Sequence, residues 1–217
     1  MAADSPAPVQ TATAEQFAQP EQQRESALLG MWTFLATEML LFGGLFFAIL
    51  VYRILYPAGA REASQHLYKS IGGINTAVLL ASSLMVALAT LAAQEGRRGA
   101  VVRNLIIAAC LGTAFLAIKG AEYFLDYREG LVPGLGGPFP LSTDGARLFI
   151  NAYFFATGLH ALHVLIGVVL LAVIAGRAAT GLALPGRTIV VEVAGLYWHF
   201  VDVVWIFLYP ALYLVGS

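Results

Sequence analysis

The sequence predicts an all-α integral membrane protein, a bundle of five transmembrane helices. Of its 217 residues, 59% are hydrophobic and only 12% are charged, whereas a soluble domain usually carries about 25% charged residues. The mean hydropathy is +0.77. Five long runs are almost free of charge, and each is long enough for a membrane-crossing helix, which needs about 20 apolar residues. This composition excludes a soluble globule, a disordered chain and a nucleic-acid-binding protein, which would need a basic face.

The predicted spans differ in the charge that they carry. They cover residues 27–52, 71–94, 101–123, 146–176 and 189–215. The first is interrupted only by Glu38, and the second holds no charged residue. The last is the most polar, because it contains Glu192, His199 and Asp202. Charged groups at membrane depth cost several kcal/mol unless they are paired or neutral, so each of these needs a structural or functional reason.

The segments outside the spans suggest a simple organisation. Residues 1–26 hold almost no bulky apolar side chain and are predicted to be a flexible polar tail, which leaves residues 27–217 as the membrane domain. The start of the chain lacks a basic region, so no signal peptide is predicted. Short turns are expected at 94–99 and 177–187, and longer loops at 53–70 and 124–145.

The orientation follows from the arginines of the short turns. Five of the six basic residues on the side of the N-terminus lie in or next to those turns, and short basic loops stay in the cytoplasm. We therefore expect a cytoplasmic N-terminus and, with an odd number of spans, a C-terminus on the outside.

Glu38 is the most unusual residue of the first span. It lies about 16 Å along the predicted helix at a rise of about 1.5 Å per residue, close to the middle of the bilayer. No basic residue of the same helix can reach it. Because burial favours the neutral form of a carboxyl group, Glu38 is either a protonated acid bonded to a neighbouring helix or a proton-exchanging group.

The histidines and the cysteine bear on metal binding. His160 and His163 share one face of the fourth span and could ligate a metal or bridge helices by hydrogen bonds. His199 is the only other histidine in a span, and His66 lies in a predicted loop. A single cysteine, Cys110, excludes a cysteine cluster and a disulfide. We expect no metal site in this chain.

Two further polar groups are expected to join helices. Glu192 and His199 are two turns apart on the last span, with Asp202 three residues beyond, and this face is interpreted as a polar contact between helices. Lys119 and Glu122, at i and i+3, predict a self-contained salt bridge near the end of the third span.

Four segments of the sequence resemble subunit III of haem-copper oxidases. They occur in the family's order and consist of residues 36–47 with Glu38, the pair Glu122-Tyr123, residues 156–164 with His160 and His163, and residues 197–205 with Trp198, His199, Asp202 and Trp205. The nine-residue segment around His199 is the most specific. The chain resembles the bacterial five-helix form of cytochrome c oxidase subunit III, which lacks the first helix pair of the seven-helix members.

The resemblance implies a subunit without a catalytic residue, haem or copper of its own. Haem and copper would lie in subunits I and II, with subunit I as the main contact and bound phospholipid alongside. The complex would sit in the bacterial inner membrane, take electrons from cytochrome c, reduce oxygen to water and pump protons. The subunit would support the stability of the complex and its proton uptake, and no nucleic acid would be bound.

Other functions remain open from the sequence. The chain is also compatible with subunit III of a quinol oxidase or with the related accessory protein of a nitric oxide reductase. Glu38, Glu192 and Asp202 would suit a small proton or ion channel. His160, His163 and His199 would suit a cytochrome b-like haem protein, which an absorption spectrum would reveal.

Overall fold

The computed structural model describes residues 20–132, 141, 143–180 and 187–214, which form an all-α bundle. Five of its helices are long and apolar enough to cross a membrane, which confirms the predicted fold class. In chain order the helices are α1 (Pro20–Leu55), α2 (Pro57–His66), α3 (Lys69–Gln94), α4 (Arg98–Arg128), α5 (Asp144–Thr180) and α6 (Arg187–Tyr213).

The helices extend beyond the uncharged runs that predicted them. α1 begins at Pro20, so residues 20–26 of the predicted tail are helical, and residues 1–19 lie outside the described part of the chain. α4 and α5 likewise continue into the segments predicted as connections, to Arg128 and Thr180. The reason is physical: an uncharged run marks the part of a helix that fits the hydrocarbon core, and the polar ends of the helix lie outside it.

The segment 53–70, predicted to be a loop, contains the short helix α2. Pro57 stands at its first turn, where the missing N–H costs nothing. Gly59 packs against the start of α5 so closely that an added Cβ would lie 2.6 Å from the backbone nitrogen of Ala146. The predicted turn at 94–99 is confirmed, and Gly96 adopts a φ of 71° there. The residues 133–140, 142 and 181–186 of the other two predicted connections lie outside the described part.

α6 lies at the centre of the bundle. It packs against α3, α5 and α1, and it meets α4 through Trp205, whose ring lies edge-on to Phe115 at 4.9 Å between centroids. α1 packs mainly on α6 and otherwise presents large apolar side chains outward. The protein core is therefore built around α6, and α1 forms an edge of the bundle.

Hydrogen bonds between helix ends establish that the five long helices alternate in direction. At one end of the bundle, Arg24 of α1 pairs with Glu192 of α6, and Arg98 of α4 donates to backbone carbonyls near the end of α5. At the other end, which we call the α2 face, Ser64 of α2 donates to the carbonyl of Tyr213 in α6. The first and the last residues of the helical domain thus lie at opposite ends of the bundle, as an odd number of spans requires.

Candidate functional site

Glu38 has a partner on another helix. Its Oε2 lies 3.1 Å from Nε2 of His163 on α5, and the side chains are only 15% and 11% exposed. The ring of Phe42, one turn further along α1, lies edge-on to the His163 ring at 5.2 Å. The sequence placed Glu38 and His163 in different motifs, and the structure joins them into a single acid–imidazole pair at the junction of α1 and α5.

The hydrogen bonds of His163 determine how this pair holds its proton. Nδ1 lies 2.8 Å from the carbonyl oxygen of Leu159, which can only accept, so Nδ1 carries a hydrogen. Nε2 then either accepts a hydrogen bond from a protonated Glu38 or donates one to an ionised Glu38. In both states the contact between Nε2 and Oε2 contains one proton, which can move between the two atoms without any change in the helices.

His160 does not join this pair, although it lies one turn before His163. It is fully buried and packs instead against α6 and α4, stacked on Trp205 at 5.1 Å and edge-on to Phe115 at 5.6 Å. Neither ring nitrogen of His160 has a hydrogen-bond partner among the described residues. Within the described part of the chain, no group of three His, Cys, Asp or Glu side chains is arranged to hold a metal ion.

The structure separates the polar residues that the sequence grouped on α6. Glu192 is partly exposed at the end of the bundle and pairs with Arg24 at 3.0 Å. Two turns further on, Nδ1 of His199 lies 2.6 Å from the Ser83 hydroxyl of α3. Asp202 is only 4% exposed and also interacts with Ser83. His199 and Asp202 thus join α6 to α3, whereas Glu192 joins α6 to α1.

The two tryptophans of α6 fill the centre of the bundle. Trp198 is 1% exposed and lies between glycines of two helices: an added Cβ would come within 2.6 Å of its ring at Gly112 and within 2.7 Å at Gly167. Trp205 is fully buried and donates from Nε1 to the Thr76 hydroxyl of α3 at 3.0 Å. These contacts explain why α6 can pack at the centre of the bundle.

The predicted salt bridge between Lys119 and Glu122 is present at 3.1 Å, but it is not self-contained. Both side chains are buried, at 2% and 0% exposed. Lys119 also donates to the hydroxyls of Tyr153 on α5 and Tyr213 on α6, at 2.9 and 2.6 Å. The pair therefore ties together three helices inside the bundle, in the half that is nearer the α2 face.

The sequence reasoning missed three members of this cluster. Asp126 is fully buried, and its Oδ2 accepts from Tyr153 at 3.2 Å. A signal for it was present, since Lys119, Glu122 and Asp126 recur at i, i+3 and i+7 and so share one face of α4. Tyr153 and Tyr213 gave no comparable signal, because a tyrosine in an apolar helix is equally suited to the membrane interface. Tyr123, from the predicted motif, bonds to Thr157 of α5 at 2.6 Å.

Comparison with known proteins identifies the family of the chain. The family model described as cytochrome c oxidase subunit III matches residues 16–217. The chain is 34% identical to cytochrome c oxidase subunit 3 of Synechocystis sp. over 87% of its own length and 75% of that protein. It is 32% identical to the Papio hamadryas protein of the same name, over 89% of this chain and 71% of that protein.

Other matches cover a smaller share of both proteins. The match to subunit 3 of Latimeria chalumnae, at 39% identity, covers 66% of this chain and 50% of that protein. The chain thus spans about half the length of some of the curated relatives that it matches. The residues that the family model matches contain the acid–imidazole pair, the α6 contacts and the Lys119–Glu122 bridge described above. The chain belongs to the cytochrome c oxidase subunit III family.

Proposed function

We propose that this protein is an accessory subunit, without a redox centre of its own, of a proton-pumping haem-copper oxidase in a bacterial inner membrane. In this proposal subunits I and II hold the haem and copper, cytochrome c supplies the electrons, and oxygen is reduced to water. Subunit I is the main contact, and the N-terminus faces the cytoplasm. Membership of the subunit III family supports an oxidase complex.

The contacts of the three membrane histidines support the proposal that the subunit holds no redox centre. His160 stacks on Trp205, His163 bonds to Glu38, and His199 bonds to Ser83. Each ring therefore contacts a different neighbouring helix, as expected of residues that join helices. A haem held by two histidines, or a copper site with several, would require rings that converge on a common centre.

The pair of Glu38 and His163 supports a role in proton uptake. Two titratable groups in direct contact, shielded from water on most sides, can hold one proton and pass it on when a neighbouring donor or acceptor changes charge. We propose that the pair stores a proton near the site at which subunit I takes it up from the cytoplasm.

The outer face of α1 supports contacts with a further protein subunit and with phospholipid. It exposes a series of large apolar side chains on the helix that carries Glu38, namely Leu29, Trp32, Met39, Leu40, Phe47, Leu50, Ile54 and Leu55. In a bilayer such a face is covered either by acyl chains or by another helix. The groove between α1 and α6, about 620 Å³ in volume and lined by Phe46, Phe207 and Pro210 among others, has room for part of an acyl chain.

Purification of the tagged chain from its native membrane in mild detergent tests the proposal. We expect it to bring down a haem- and copper-containing subunit I and a subunit II, and the complex to oxidise reduced cytochrome c with uptake of oxygen. Oxidation of a quinol instead would assign it to a quinol oxidase, and reduction of nitric oxide would assign it to a nitric oxide reductase. Conductance by the chain alone in liposomes would overturn the accessory role.

A further inference from the structure

The bundle contains a second group of titratable side chains, which the proposed oxidase role does not use. It consists of Lys119, Glu122, Asp126, Tyr153 and Tyr213, and none of these side chains is more than 2% exposed. The group has one ammonium and two carboxyl groups. If both carboxyls were ionised, one negative charge would be left without a counterion inside the protein, where a buried unpaired charge is strongly disfavoured.

The hydrogen bonds of Lys119 use all three of its donors, so none is left for Asp126. An ammonium group has three donors, and those of Lys119 are directed to Glu122 Oε2 at 3.1 Å, Tyr153 Oη at 2.9 Å and Tyr213 Oη at 2.6 Å. Tyr213 in turn donates to Glu122 Oε1 at 2.7 Å. The only cation of the group is therefore committed to Glu122, which it stabilises in the ionised form.

The hydroxyl of Tyr153 lies between the two carboxyl groups. It is 3.0 Å from Glu122 Oε1 and 3.2 Å from Asp126 Oδ2, and a phenol has one hydrogen to donate. The other oxygen of Asp126, Oδ1, is buried and has no hydrogen-bond partner among the described residues. An ionised Asp126 would compete with Glu122 for a single donor, whereas a protonated Asp126 donates to Tyr153 and Tyr153 donates to Glu122.

We propose that Asp126 is a proton-binding site, which holds a proton on its carboxyl group at neutral pH and is coupled to Glu122 through the Tyr153 hydroxyl. In the occupied state Lys119 is the cation and Glu122 the anion, so the group has no net charge. Binding forms the O–H bond at Asp126 Oδ2 with a proton taken from water, and release returns that proton to water.

The surroundings give the site access to the α2 face. Glu129, which directly follows α4, is exposed and accepts a hydrogen bond from Tyr68, which directly precedes α3. This hydrogen bond raises the pKa of Tyr68, so the phenol remains a donor. Deeper in the bundle the group is bounded by Tyr123 of α4, His160 of α5 and Trp205 of α6. Glu129 is therefore the exposed acid next to Asp126, and the proton exchanges on that side.

Infrared difference spectroscopy on the purified complex that contains the full chain tests the site directly. The spectrum of the wild type minus that of Asp126→Asn should contain the band of a neutral carboxylic acid at neutral pH, with its usual shift in deuterated water. The band should disappear as the pH is raised. The matched control is Glu129→Gln, directly after the same helix, whose difference spectrum should lack the band of a neutral carboxylic acid.

Stability provides a second measurement. A proton that is bound in the folded protein and released on unfolding makes the folded state less stable as the pH rises. Asn is neutral at every pH and releases no proton. The thermal stability of Asp126→Asn should therefore fall less than that of the wild type as the pH is raised. A difference spectrum without the neutral-acid band, or an equal alkaline loss of stability in both proteins, would overturn the proposal. Failure of Asp126→Asn to assemble at neutral pH would also overturn it, because a neutral side chain should replace a neutral acid. These outcomes do not depend on the electron donor or on the other subunits.

Discussion

At the scale of single residues, partners on distant helices decide what the buried polar groups can do. Glu38 and His163 are 125 positions apart in the sequence and meet at 3.1 Å. The carboxyl, which no basic residue of its own helix can reach, is bonded to an imidazole of α5. This contact supplies a proton acceptor next to the acid, which a carboxyl bonded only to a backbone amide would lack.

The role of this pair is tested by Glu38→Gln, which keeps size and hydrogen bonding but cannot exchange a proton. We expect the variant to assemble, to lose reaction with a hydrophobic carbodiimide, which requires a protonated carboxyl, and to show less proton pumping and earlier loss of activity in sustained turnover. Glu192→Gln, at the exposed pair with Arg24, is the matched control and should behave as wild type. Wild-type pumping and turnover stability in Glu38→Gln would exclude the relay.

At the scale of helices, α6 depends on small residues of its neighbours. Gly112 and Gly167 leave the space that the Trp198 ring occupies. We expect Gly112→Ala and Gly167→Ala to lower the thermal stability and the yield of assembled complex, since overpacking of a filled core costs about 1–3 kcal/mol. Gly120→Ala on α4 and Gly176→Ala on α5 are the controls, because a Cβ there meets nothing within 4 Å. Equal losses in all four variants would show that Trp198 packing is not the cause.

The contact of α6 with α3 gives a second prediction at this scale. His199 and Asp202 both reach Ser83, and loss of a buried polar partner costs about 1–3 kcal/mol. His199→Leu and Asp202→Leu should therefore lower the yield of complex and leave the haem spectra of the assembled fraction unchanged. Altered haem spectra at normal yield would contradict a purely structural role for these residues.

The sequence was most informative where one physical requirement decided the outcome. A membrane span needs a long uncharged run, so all five spans were predictable, although α1 begins seven residues before the predicted start. The short helix α2 was missed because its composition is that of a loop, and its stability comes from packing on α5. The partners of Lys119 were not predictable, since they depend on how three helices are rotated against each other.

At the scale of the whole molecule, the alternating helices define two ends, and the positive-inside rule assigns a side to each. The α2 face should be outside and the end with the Arg24–Glu192 pair should be in the cytoplasm. Cys110, the chain's single cysteine, is exposed on α4 and must first be removed as Cys110→Ser. In that background, new cysteines can be placed one at a time at Gln65, on the exposed side of α2, and at Glu95, in the turn between α3 and α4.

A membrane-impermeant thiol reagent applied to intact spheroplasts should label Gln65→Cys and leave Glu95→Cys unlabelled. After the membrane is permeabilised, both should react, since both positions are exposed to solvent in the fold. The opposite pattern would reverse the orientation while leaving the fold intact. Labelling of both positions in intact spheroplasts would contradict the fold itself, because one span, α3, separates them and places them on opposite sides of the membrane.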